Sequence, residues 1–188
     1  MELLPDNTKN TEEENNGCLL ISWDDYAKLF PELNGRNICV FAHPPNDLNC
    51  QTHFHDFFSI IYARTHKGRF VIDGHKYPDT LGKVILLQPL TPHSITGPDE
   101  SWENNDIAVL IKKEVVQDHI YHSLLSSPVF SEFFISAFLS SSKENIVLPC
   151  GESNSVIPAL FRKMLDESML NCDYCEAILI ALLIQVLL

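Results

Sequence analysis

Between residues 53 and 111 no apolar period is long enough for a helix, and this stretch decides what the chain can fold into. It breaks instead into short apolar pieces: "THFHDFFSIIYART", "RFVI", "HKY", "KVILLQ" and "NDIAVLIKK". Turn signals part them, in order "HKG", "DG", "LG" and the loop "PLTPH". With "RNICVFAH" ahead of them, pieces of this length and punctuation predict an antiparallel sandwich or barrel.

The flanks read differently. Residues 1–17, "MELLPDNTKNTEEENNG", are polar and acidic with little to bury, which predicts a mobile tail or arm. In "SWDDYAKLF", Ser22 and Asp25 have the spacing of a capping box, so a short helix is expected there. Beyond residue 112 the period turns helical, with Val116, Ile120 and Leu124 on one face. Ser127-Pro128 is a start signal, followed by Phe130, Phe133, Phe134, Ala137 and Phe138 at three-to-four spacing. "IVLPC" predicts a returning strand near 145–150, and Leu160, Phe161, Met164, Leu165 and Ser168 form a second helical stripe.

Asp173 and Glu176 have the spacing of a cap and its partner, opening a final helix whose last twelve residues have Gln185 as their one polar interruption. A helix apolar on every side must be buried, and this one runs to residue 188 without a stop signal. Leu179, Leu182, Leu183 and Val186 are therefore assigned to pairing of two subunits, and the chain is expected to be part of something longer. The alternative is a central helix of the domain's own core. The expected division is a tail at 1–17, a barrel at 18–111 and a helical dimerisation region at 112–188.

Charge narrows the partners. Thirteen basic against 25 acidic residues give −12, and so negative a surface repels phosphate backbones. Any DNA contact would have to come from sequence outside these 188 residues. No signal peptide opens the chain, and the apolar run at 177–188 is too short to span a bilayer, so a cytoplasmic protein without a membrane partner is expected. Cysteines 18, 39, 50, 150, 172 and 175 are scattered, which favours reduced, mostly buried thiols. The lone C-x-x-C of Cys172 and Cys175 is read as helix-start residues.

Two histidines head the longest strand-like piece. Strand alternation puts His53, His55, Phe57 and Ser59 on one side and Phe54, Phe58, Ile60 and Tyr62 on the other. Both sides are largely apolar, so the strand is expected to be covered on both. His93 follows after a turn, a strand and "QPLTPH", and a barrel would gather it with His53 and His55. The remaining histidines, 43, 66, 75, 119 and 122, share no spacing and are read as surface or turn residues.

The "HFH" piece, Gly68 and the Gly82-to-His93 spacing of eleven resemble the two motifs of the cupin family. The resemblance implies a double-stranded β-helix, the jelly-roll barrel, here mainly β with a helical appendage. Where the family places a metal-binding Glu, this chain has Ser59 or Ile60, and Pro89 and Leu90 occupy the region of displaced second-motif residues. Loss of that carboxylate removes charge and a ligand for hard divalent ions. No metal and no cofactor is assigned, with His53, His55 and His93 the candidates if a metal binds. Pocket histidines and core histidines with satisfied hydrogen bonds both stay open.

His53, His55, Asp56, Gly68, Ile72, Gly74, Tyr77, Gly82, Pro89 and His93 also follow the pattern of the N-terminal sensor domain of AraC-type transcription regulators. That resemblance implies a non-enzymatic, small-molecule-responsive homodimer fused to C-terminal helix-turn-helix units absent from this chain. It makes His53, His55, Ser59 and His93 polar candidates for effector contact and Phe57 an apolar wall. The rival class is a metal-dependent cupin enzyme, an oxygenase or isomerase. A third is a barrel without ligand, closed by a plug such as Phe57, Ile61 and Leu86. No Ser-His-Asp arrangement or phosphate-cradling glycine loop offers another route to catalysis.

Overall fold

Runs such as Ile107–Ile111 and Lys83–Leu87 are apolar at almost every position, a pattern that persists only where both faces of a sheet are covered. The computed structural model shows such a sheet. It describes residues 18–42, 51–64, 69–77, 80–96, 106–139, 145–149, 156–170 and 174–188. The tail 1–17, Gly68, His43, His66, Cys50, Cys150, Cys172 and Asp173 lie outside the described residues.

The strands are β1 (Leu19–Ile21), β2 (Ile38–Ala42), β3 (His53–His55), β4 (Phe58–Tyr62) and β5 (Arg69–Ile72). They continue as β6 (His75–Tyr77), β7 (Lys83–Leu87), β8 (His93–Thr96), β9 (Ile107–Ile111) and β10 (Asn145–Pro149). One sheet has the order β1-β3-β8-β5-β6, the other β10-β7-β4-β9-β2. The chain passes repeatedly from sheet to sheet, and every pairing is antiparallel except β1 with β3. This is a cupin-like barrel, mainly β with helices appended.

The helices are α1 (Trp23–Leu29), α3 (Pro128–Leu139), α4 (Ile157–Met169) and α5 (Cys175–Leu187). Between β9 and α3 runs α2, which is α-helical at Lys113–Val115, widens to a π turn at Val116–Ile120 and tightens to 3-10 at Tyr121–Leu124. Its Val116, Ile120 and Leu124 are fully buried, as their spacing predicts.

Alternation along the second sheet divides the core in two. Cys39, Ile61, Ile85, Leu87, Ala108 and Leu110 face the first sheet, with Phe70, Ile72 and Ile95 opposite them. Ile38, Val40, Phe58, Ile60, Leu86 and Val109 face outward onto α2–α5. Each fully buried large side chain contributes about 1.5–3 kcal/mol, so the helical layer is held mainly by area. A few polar contacts fix its position. Ser168 Oγ donates to Val40 O at 3.2 Å, and Arg36 Nη1 donates to Ser168 O at 2.9 Å.

At α1 the capping box forms: Ser22 Oγ accepts from the Asp25 N–H, and the Asp25 carboxylate accepts from the Ser22 N–H, each at 3.2 Å. At α5 the structure departs from the sequence reading. Tyr174 is the cap residue and makes no side-chain cap bond. Glu176 reaches across to the approach of β2 instead, accepting from Asn37 N–H at 2.6 Å and from Asn37 Nδ2 at 3.3 Å.

Leu179, Leu182 and Leu183, assigned from sequence to subunit pairing, are 0, 5 and 0% exposed within the single subunit. They pack on Phe161 and Met164 of α4 and on α2, while Val186 is half-buried. A helix apolar all round carries no mark of which face turns inward.

The β5–β6 hairpin turns through Asp73 and Gly74, both with positive φ (48° and 75°). That conformation costs a residue with a Cβ roughly 1–2 kcal/mol. Nothing lies within 4 Å of a Cβ built at Gly74, so the penalty there is conformational alone. Gly74→Ala is expected to lower the unfolding free energy by about 1 kcal/mol, read from the urea midpoint.

Candidate functional site

The three histidines converge because β3 and β8 are neighbours. His53 stands directly opposite His93 in the register, with ring centroids 4.4 Å apart. His55, two residues along β3, points to the same side and lies 4.9 Å from His93 and 6.3 Å from His53. All three are nearly fully buried, at 1, 2 and 4% exposure for His53, His55 and His93.

Each ring is held the same way. His53 Nδ1 donates to Gln51 O at 2.9 Å, His93 Nδ1 to Thr91 O at 2.9 Å, and His55 Nδ1 to Phe57 O at 2.8 Å. A carbonyl only accepts, so each Nδ1 carries the proton and each Nε2 of the neutral ring is left as an acceptor. Burial pushes all three pKa values down, His55 well below the ordinary value and His93 to about 3. For His55 and His93 the neighbouring imidazoles add to the effect by like-charge repulsion. Near neutral pH the site is a set of uncharged imidazoles.

The rings border a cavity inside the barrel, lined also by Tyr26, Phe30, Phe41, Ser59, Ile61, Ile95, Ala108 and Leu110. Its volume open to the centre of a water molecule is ≈ 30 Å³. That is room for about two waters. Ser59, standing where the cupin pattern has a carboxylate, presents a hydroxyl. Tyr26 is buried and its phenol pushed up to about 12, so it stays neutral.

Phe57 does not line this cavity. The chain bends at Asp56 and Phe57 as it leaves β3 for β4 in the other sheet, and Phe57 is buried in the core between the two sheets. There it stacks on the His55 ring at 4.1 Å and meets Trp23 and Tyr26 edge-on, each at 5.4 Å. Asp56 accepts from the Trp23 N–H at 3.0 Å and so ties the start of α1 to the histidine strand. Of the plug residues considered from sequence, Ile61 lines the cavity and Leu86 faces the helices.

A second hollow, ≈ 380 Å³, lies outside the barrel among Trp23, Asp56, Phe57, Lys112, Lys113 and Glu114. It is larger but wide open. Its Lys112 Nζ sits 5.1 Å over the Trp23 ring and donates to Asn37 Oδ1 at 3.3 Å, while Asp56 is engaged with Trp23. The enclosed cavity, with its polar edges aimed inward, is the stronger candidate.

Tyr26, Phe30 and Phe41 were not legible as site residues. Tyr26 and Phe30 come from α1 and the residue after it, one helical turn apart and stacked at 5.8 Å, and Phe30 meets Phe41 at 5.0 Å. Their four-residue spacing was the available signal, but it marks an apolar face without saying what that face covers. Among the described residues, no group of three or more His, Cys, Asp and Glu is arranged to hold a metal ion. Nor is any described helix long and apolar enough to cross a membrane.

Fold and cavity together define a cupin-like barrel with three imidazoles on its inner wall. Residues 35–107 match the family model described as the AraC-like ligand binding domain, so that part of the chain is similar to such a domain. No curated protein matches the chain. Among solved structures, ToxT from Vibrio cholerae is 15% identical with a TM-score of 0.40, covering 78% of this chain and 52% of its own. ToxT from V. cholerae strain SCE256 with unsaturated fatty acid bound is 15% identical with a TM-score of 0.39, covering 80% and 50%. An iron-bound HEPD from Streptomyces albus is 15% identical with a TM-score of 0.30, covering 67% and 28%. Likeness at this level transfers neither ligand nor activity. The chain spans about half the length of the ToxT structures it matches.

Proposed function

We propose that this chain is the ligand-sensing and dimerising part of a DNA-binding transcription regulator, with a small-molecule effector held inside the barrel. The supporting observation is the enclosed cavity into which β3 and β8 bring His53, His55 and His93, within a segment matching the AraC-like ligand binding domain. His53, His55, Ser59 and His93 would contact the effector. Phe57 would act at one remove, by fixing the His55 ring. In this reading the chain is a cytoplasmic non-enzyme, and DNA contact belongs to other parts of the protein, as −12 on these residues demands.

The size of the cavity sets a condition on switching. An effector larger than about two waters must displace part of the wall, and the rings of Tyr26, Phe30 and Phe41 are its aromatic side. Tyr26 and Phe30 sit on or beside α1, so filling the barrel would shift α1 against β3. A ligand switches a protein only by binding one arrangement better than another, and a coupling of about 1–3 kcal/mol is typical. Pairing of two subunits would use the outward strip of the helical layer, including Ala181 and Ile184 of α5 and Leu188 just after it, since its inner leucines are used within the subunit.

Native mass spectrometry of the purified chain tests this directly. The expected spectrum is a dimer carrying a retained small organic molecule. The His53→Ala/His93→Ala double variant should stay dimeric and lose that mass. An adduct retained equally by both proteins would rule out the histidines as its contacts.

A further inference from the structure

The lining of the cavity also says what kind of chemical group it suits. The three Nδ1 protons are committed to backbone carbonyls, so what the rings offer the cavity is three Nε2 lone pairs. The ring centroids form a triangle with sides of 4.4, 4.9 and 6.3 Å, close enough for one small group to meet all three. The rest of the wall is aromatic and aliphatic, with Tyr26, Phe30 and Phe41 supplying rings. Among the described residues, neither Lys nor Arg lines it.

Among the described residues an anion finds only the neutral hydroxyls of Ser59 and Tyr26 to replace its water. Burying a carboxylate or phosphate without a cationic or strong donor partner is heavily unfavourable. Protonating a ring to supply one works against the burial that keeps these imidazoles neutral. A neutral hydroxyl brings one donor to three acceptors. A primary ammonium brings three donors on one nitrogen, and the same burial cost to its charge is offset by three lone pairs and by the aromatic faces. Its head is about the size of a water, which the ≈ 30 Å³ cavity admits. The −12 charge of the chain also draws cations toward it.

We infer that the histidine triangle is a seat for the ammonium head of a small primary amine, with the carbon skeleton directed toward Phe30 and Phe41. This rests on the reading of the barrel as a sensor and specifies the ligand class. Without a carboxylate on the wall, the charge is shared among three lone pairs and the rings, so selectivity comes from donor number as well as charge.

The test compares three two-carbon probes at pH 7.5 on the full chain labelled with 15N-histidine: ethylammonium, ethanol and acetate. Ethylammonium is expected to move the Nε2 resonances of His53, His55 and His93 saturably, at least tenfold more tightly than ethanol, with acetate inert. Tighter binding by ethanol or acetate overturns the amine assignment and leaves the sensor reading standing. So does cobalt(II) that saturates the three rings while ethylammonium leaves them unmoved, which would make this a metal seat. If no probe moves the rings and native mass spectrometry finds no retained molecule, both readings fall together.

Discussion

Acidification is expected to destabilise this protein steadily from about pH 6.5 downward, before most of its carboxylates protonate. In the unfolded chain a histidine titrates near 6.5, whereas folded His93 is held down to about 3 by burial beside His53. His55 and His53 are displaced in the same direction. Between the two pKa values the unfolded state binds the extra proton, so stability rises with pH and falls as pH drops. The contribution is fully present above about pH 6.5 and is lost progressively down to the folded pKa. From pH 7.5 to 4.5, His93 alone should remove roughly 3 kcal/mol, and the other two rings add to the loss. Against a typical total of about 5–15 kcal/mol this is a large fraction. Urea midpoints at one-unit pH steps would show it as a steady decline. The His93→Asn variant should show a shallower one. A midpoint flat from pH 6.5 to 4.5, or an identical slope in the variant, would mean the rings are not held neutral as the geometry implies.

The same histidines show how far a sequence of this kind can be read. Alternation placed His53, His55 and Ser59 on one face, and the turn-and-strand spacing to His93 put it within reach in a barrel. All four line the cavity. Phe57, counted on the same face, is buried between the sheets without bordering the cavity. Period-two counting assumes one continuous strand, but β3 ends at His55 and β4 begins at Phe58 in the other sheet. Two bend residues intervene, so Phe57 stacks on the His55 ring while Ser59 and Ile61 beyond it line the cavity. Tyr26 and Phe30 were missed for another reason. Local pattern gave α1 and its cap, but where a helix lies across a barrel depends on contacts distant in sequence, here Trp23 with Asp56. The divided core was implicit in the continuous apolar runs of β7 and β9, because a strand covered on both faces has no polar side to show.

The final helix is where pattern alone had least to say, and there one substitution separates the alternatives. The run 177–188 reads as apolar on all sides, so sequence could not choose between a subunit interface and an internal core. The structure turns Leu179, Leu183 and Leu187 inward, all at 2% exposure or less, against Phe161, Met164, Val116 and Ile120. Leu183→Ala should therefore destabilise the single subunit by about 2–5 kcal/mol, through lost transfer energy and the cavity left behind. Outward-leaning Ile184→Ala removes less buried area from the subunit and should cost clearly less. Because the loss at Leu183 is intramolecular, the change in urea midpoint should be the same at micromolar and at hundredfold higher protein concentration. An interface residue behaves otherwise: its loss would shift the monomer–dimer balance and make the midpoint concentration-dependent. Sedimentation showing Leu183→Ala as a stable, well-folded monomer beside a dimeric parent would return that leucine to the pairing surface and remove α5 from the core.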